Sequence, residues 1–181
     1  MNTYYKNKLK EFTDIQDFKI YLDNVENHII KYSDLSKYKS MDDLFNGDKD
    51  YKIILIETKR NSGHWVCVMK NGNIIEEFDS YSGLIDNEFD YIDDRIEQQL
   101  NQYIKYWSLL KNKSNYKYEY NKIKFQKTGN NIATCGRHTI MRIIMFLLGY
   151  DLNEYINFMK KQKKEQKKNY DILVVDFINK Y

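Results

Sequence analysis

The chain contains no proline, and only two cysteines among its 181 residues. No apolar run approaches the roughly 20 residues that a membrane span needs, which argues for a soluble protein without a membrane role. Two cysteines, Cys67 on a predicted strand and Cys135 opening a predicted helix, do not make a disulfide scaffold, so both are expected to be free thiols. The opening MNTYYKNKLKEF lacks the apolar core of a secretory signal, and export from the producing cell is not expected. No internal repeat and no Gly/Ser-rich linker interrupts the sequence, and its length suits one domain with one buried core. We therefore read 1–181 as a single unit with a helical part at 1–50, a core at 51–149 and terminal helices at 150–181. The missing proline, with heavy use of Lys, Asn, Ile and Tyr, reflects an AT-biased genome rather than an activity.

Charge is plentiful but mixed: 29 basic and 26 acidic residues leave a formal net charge of +3. One run departs from this, the segment KKQKKEQKK, which supplies Lys160, Lys161, Lys163, Lys164, Lys167 and Lys168 against a single glutamate. Such a run tracks phosphates or an anionic surface, or it is simply a solvated helix end.

Periodicity divides the chain into elements. Thr13 followed by Gln16 resembles a capping box, with Ile15, Phe18, Leu22 and Val25 at helical spacing behind it. A short helix at Met41 to Phe45 is expected to stop at Asn46-Gly47. YKIILIE (Tyr51 to Glu57) is β-rich, and His64 to Asp79 holds two strand-like runs around Asn71-Gly72, a strong hairpin signal. A long amphipathic helix is predicted from the stripe Phe89, Ile92, Ile96, Leu100, Tyr103, Trp107 and Leu110. Tyr116 to Phe125 reads as a further strand. Thr134 to Leu148, ended by Gly149, is the most apolar helix and is expected to be the central buried one. Leu152 to Tyr181 reads as one or two helices, with a short strand possible at Ile172 to Val175. The fold class is accordingly α+β, a small mixed β-sheet packed against a central helix that begins at Cys135.

The hairpin carries the chemistry. A two-residue Asn71-Gly72 loop pairs Lys70 with Asn73 and, stepping outward, sets His64 opposite Asp79. Facing residues stand close enough for an imidazole nitrogen to reach a carboxylate. That contact fixes the tautomer and leaves the other nitrogen free as a general base; an ordinary cross-strand pair is the plainer reading of the same residues. Cys135 falls in the first turn of the buried helix, where free N–H groups and the dipole favour a thiolate. Gly136 lets a carbonyl approach backbone donors that form an oxyanion hole. A small residue opening a core helix is the plainer reading there.

The His-Trp of GHWVCVM, the Asp-Ser of EEFDSYSG, and the Gln then Cys-Gly of FQKTGNNIATCGRH occur in that order. Together they resemble the adenovirus-type and Ulp1-type cysteine proteases, most of all the maturation proteases of virophages, Polinton-like elements and large DNA viruses. The resemblance spans about Lys52 to Leu148 and implies a papain-like or adenain-like architecture. It implies Cys135 as nucleophile, His64 as base, Asp79 as its orienter and Gln126 as oxyanion donor, with Gly63, Trp65 and Gly136 shaping the cleft. The Gln126 to Cys135 interval is longer than in well-known members, so Asn130 or Asn131 stands as an alternative donor. The implied function is a cysteine endopeptidase that cuts viral capsid precursors during virion maturation, in the virion and the host-cell cytoplasm. No cofactor is required; activation by DNA, through the six lysines, or by a peptide is compatible with it. An isopeptidase for ubiquitin-like modifiers is the second reading within the family.

Two further readings compete. His-x-x-Cys and Cys-x-x-His spell a zinc set of His64, Cys67, Cys135 and His138, but residues three apart on a strand point to opposite faces, so no metal is expected. His138 is a second candidate base without an obvious carboxylate partner, and His28 reads as an exposed bystander. A virion or nucleic-acid-binding protein using the lysines and the 17 tyrosines is the alternative of another class.

Overall fold

The computed structural model describes residues 2–129 and 131–178. Five strands, β1 (Ile29–Lys31), β2 (Lys49–Lys59), β3 (Ser62–Asn71), β4 (Ile74–Phe78) and β5 (Lys117–Tyr120), form one sheet in sequence order. β2, β3 and β4 are antiparallel, whereas β1 and β5 run parallel to their neighbours, so the sheet is mixed. The helices are α1 (Thr3–Lys10), α2 (Ile15–Tyr21), α3 (Met41–Leu44), α4 (Asp94–Gln99), α5 (Tyr106–Asn112), α6 (Cys135–Leu147), α7 (Leu152–Gln166) and α8 (Tyr170–Ile178). The class is α+β.

β2 is apolar from Ile53 to Ile56 because both of its faces are covered there. Ile53 and Leu55 pack with Trp65, Cys67 and Met69 toward α6. Ile54 and Ile56 pack with Val66 and Val68 against Tyr32, Met41 and Trp107 on the opposite side. α6 is the central helix: Cys135 through Ile143 are all buried. Gly149, at φ +98°, follows its last turn in the left-handed region.

Several expectations change in detail. The capping box sits one residue later, with Asp14 capping Asp17. The hairpin loop is Gly72-Asn73, since Asn71 pairs with Ile74 and Lys70 with Ile75 rather than Asn73. Gly72 takes φ +57°, as the first loop residue of a II′ turn does. The two registers differ by two residues and put the same side chains on the same face, so the hydrophobic pattern does not choose between them.

The long helix after Phe89 is broken. A 3₁₀ turn at Ile85–Tyr91 leads to α4, capped by Asp93, and Asn101 at φ +54° separates α4 from α5. The break lets the amide of the buried Gln102 dock on the backbone of Glu57 in β2. The strand expected to reach Phe125 ends at Tyr120, because Asn121 turns inward to bind the main chain of Asp79. Ile172 to Val175 is helical, not a strand: Asn169 caps Ile172, and Leu173, Val174 and Val175 enter the core. His28 is half-buried, stacked on Tyr51 at 4.1 Å and bonded through Nδ1 to the Tyr51 carbonyl at 2.9 Å, not an exposed bystander.

Candidate active site

The site lies where β3 begins and β4 ends. Asp79, the first residue beyond β4, is fully buried, and its Oδ1 accepts the Tyr81 N–H at 2.8 Å and faces His64 Nε2 at 2.7 Å. With the observed register, His64 and Asp79 are diagonal neighbours past the end of the β3–β4 ladder, rather than directly opposed. Because the register moved by two, they stay on one side and the contact survives. Tyr81 stacks on the imidazole with centroids 4.8 Å apart.

His64 alternates with Trp65 and so belongs to the side of Val66 and Val68, away from α6. It reaches the cavity that Cys135 also lines because it stands at the rim of the sheet, as the third residue of β3. His64 and Cys135 line one cavity, and with Nε2 committed to Asp79 the Nδ1 atom is the ring nitrogen left to act on the sulfur. Burial alone disfavours charge on both groups, but each holds the other charged. Burial pulls His64 down, yet the Asp79 charge and hydrogen bond, and then Cys135, hold it well above the ordinary imidazole range. Burial pushes the Cys135 thiol up, yet His64, followed by the backbone N–H groups of Trp65 and Gly136, brings it below the ordinary thiol range. Asp79 lies below the usual carboxylate range, because the charge and hydrogen bond of His64 outweigh its desolvation. Cys67 is the opposite case: burial pushes it well up, and it faces the core.

Cavities of about 540 and 450 Å³ flank the sulfur, and Cys135, Gly63 and Phe12 belong to the walls of both. The first adds Ile15, Ile29, Leu55 and Trp65; the second adds His64, Tyr81, Glu88, Gln126 and Ala133. Gly63 is needed because a Cβ there would stand 1.9 Å from the Ile56 carbonyl oxygen. Gly136 admits a different neighbour from the one expected of it: a Cβ there would meet Thr13 at 2.3 Å, so its missing side chain seats the segment between α1 and α2. That segment is tied down by the Trp65 indole N–H to the Thr13 carbonyl at 2.9 Å and the Ala133 N–H to the Leu9 carbonyl at 2.7 Å.

No known family model matches the chain. It is 41% identical over 140 residues to the uncharacterized protein V9 of Sputnik virophage, covering 76% of this chain and 79% of that one. The chain belongs to the family of that virophage protein. Among solved structures, a de-sumoylating protease aligns at a TM-score of 0.39 and 16% identity, over 99% of this V9-family chain and 79% of its own. The SUMO protease Ulp1, with its catalytic cysteine oxidized to a sulfonic acid, aligns at 0.37 and 15%, over 98% and 95%. At these scores the functional reading of the V9-family chain rests on the geometry of its own site.

Gln126 lines the second cavity, but its amide is already engaged: Oε1 accepts from the Ser80 hydroxyl at 2.8 Å, and Nε2 donates to the Tyr81 hydroxyl at 3.1 Å and the Ile132 carbonyl at 3.3 Å. Asn131 is exposed in a turn, and Asn130 lies outside the described residues. His138 does have a carboxylate, Asp171 at 3.3 Å, contributed by α8. The four zinc candidates do not converge. Among the described residues, metal-ligand spacing is reached by His64, Asp79 and Glu88 alone, and there Nε2 and Oδ1 are already bound to each other.

Sequence reasoning missed Glu88, Asn121 and Asp171. Asn121 clamps the main chain of Asp79, and the Ser80 carbonyl accepts the N–H groups of Phe125 and Gln126 at 2.9 and 2.8 Å. The only trace of this stitching in the sequence was the serine that follows Asp79.

Proposed function

We propose that the chain is a thiol endopeptidase in which Cys135 is the nucleophile, His64 the proton carrier and Asp79 the group that orients it. One observation carries this reading: a buried sulfur at a helix start lines the same cavity as an imidazole held at 2.7 Å by a buried carboxylate, and a second cavity opens on that sulfur as well. A chain lying across both cavities presents an internal peptide bond rather than a terminus. The sulfur attacks the carbonyl carbon, the C–N bond breaks, and the imidazolium gives its proton to the departing amine. Water then opens the thioester while His64 takes the proton back. Backbone N–H groups at the start of α6 face the developing oxyanion, and Gln126 joins them once its bond to Tyr81 is released.

The substrate we assign is a capsid precursor cut during virion maturation, in the virion and in the infected cytoplasm, as in adenovirus-type proteases. Kinship to a virophage protein supports that setting. Of the basic run, Lys160, Lys161, Lys163, Lys164 and Lys167 are exposed, the side for DNA to contact, while Lys168 is held by Asp176 at 2.6 Å. The decisive experiment offers purified protein and its Cys135→Ser variant a coat-protein precursor and, separately, a ubiquitin-like fusion. The precursor is cut by the wild type only. Cleavage of the fusion alone would make the enzyme an isopeptidase, and turnover by Cys135→Ser would place the nucleophile elsewhere.

A further inference from the structure

Asp79 has two carboxylate oxygens, and only one is accounted for by His64. Oδ1 holds the imidazole and the Tyr81 N–H, whereas Oδ2 is buried and, among the described residues, takes no direct hydrogen bond. An ionised carboxylate with a bare buried oxygen is costly and free to turn, which would carry Oδ1 away from the ring. A group able to satisfy it is Glu88, on the 3₁₀ turn Ile85–Tyr91, half-buried in the wall of the second cavity. One ligand atom each of Glu88, Asp79 and His64 lie within 4.8 Å of one another.

We propose that Glu88 is a positioning residue: in its neutral form it gives a hydrogen bond to Oδ2 of Asp79 and so keeps Oδ1 turned toward His64. This rests on the thiolate–imidazolium reading of Cys135 and His64. Glu88 faces Asp79 and His64 from the strands, Lys124 from the chain after β5, and Tyr81, Tyr91 and Lys10 around the cavity. Burial, and then the Asp79 charge, push its carboxyl up to about 8 against the weaker pull of His64 and Lys124. At neutral pH it is therefore a donor. Above that range it becomes a second anion beside Asp79, which loosens the hydrogen bond but also holds the His64 proton more tightly. The alkaline part of the site's titration thus belongs to Glu88 and His64 jointly.

The experiment measures iodoacetamide alkylation of Cys135 and Cys67 against pH, mapped by mass spectrometry, in the wild type, Glu88→Gln and Glu88→Ala, with a thermal melt of each. Glu88→Gln keeps a donor for Oδ2 but never ionises. Its low-pH inflection persists, and its alkaline inflection sharpens and moves to lower pH. Glu88→Ala also loses the donor, so Cys135 alkylation near pH 6 slows about tenfold, the equivalent of one hydrogen bond to a charged group. Alkaline limbs of wild type and Glu88→Gln that superimpose would overturn the proposal, as would identical low-pH limbs for Glu88→Gln and Glu88→Ala. A purely structural Glu88 would lower the melting temperature and leave both inflections in place. If Cys135 in the wild type reacts no faster than Cys67 below pH 7, the thiolate reading fails and the role of Glu88 fails with it.

Discussion

A buried imidazolium is stable only beside a compensating charge, and His64 has the Asp79 carboxylate on Nε2 at 2.7 Å, with the charge of Cys135 adding to it. The pair is charged between the lowered titration of the thiol and the raised titration of the imidazole. For the proposed thiol protease, the expected activity profile falls on the acid side as the sulfur regains its proton, below the ordinary thiol range. It falls on the alkaline side as His64 loses its own, above the ordinary imidazole range. Asp79→Asn removes the anion, so His64 drops, Cys135 rises, and a pH–rate profile should narrow from both ends while turnover at neutral pH falls by about 10²- to 10⁴-fold. An unchanged profile would show that Asp79 is a bystander. Cys67 is pushed the other way by burial, so at pH 6.5 alkylation should favour Cys135 by more than about tenfold.

At the scale of elements, α6 and β4 are joined by a buried ion pair: Arg142, on the central helix, reaches Glu76 at 2.5 and 2.7 Å. Desolvation raises the Glu76 carboxyl even so. A carboxyl raised on folding contributes most at low pH, and that contribution is lost as pH rises through its folded value. Glu76→Ala strands a buried guanidinium and should cost about 3–5 kcal/mol in urea melts, whereas Glu76→Leu with Arg142→Met should recover most of that. Equal losses in both variants would contradict this account. The same pair marks the limit of reading the sequence. The apolar run from Ile143 to Leu148 identified α6 as the buried helix, and YKIILIE identified β2, because composition and period report burial directly. Arg142 and Glu76 are 66 positions apart, and nothing local couples them. Likewise the meeting of His64 with Asp79 was legible because the hairpin brings them together, and the start of α6 at Cys135 was legible from the apolar residues behind it. Asn121, Glu88 and Asp171 were not, since each acts through a main-chain or second-carboxylate contact made by the tertiary fold. The stripe from Phe89 to Leu110 misled because its period continues across Asn101, where the backbone turns left-handed.

Considered as a whole molecule, the segment after α1 and the start of α8 meet beside the start of α6. The segment around Thr13 lies over the start of α6, and Tyr5 of α1 donates to Asp176 of α8 at 2.8 Å. On the other side Asp171 accepts the Lys127 N–H at 3.2 Å and the Thr134 hydroxyl at 2.6 Å, gripping both ends of the stretch that runs from Gln126 to Cys135. Asp171→Ala should cost on the order of 3 kcal/mol and suppress turnover, with Asp171→Asn intermediate in both melting and kinetics, because the amide keeps one acceptor. Full turnover in Asp171→Ala would mean that the stretch holds itself. A chain lacking α8 would keep Cys135, His64 and Asp79 but lose the grip of Asp171 on Lys127 and Thr134, so the ordering of the approach to α6 waits until α8 has been added.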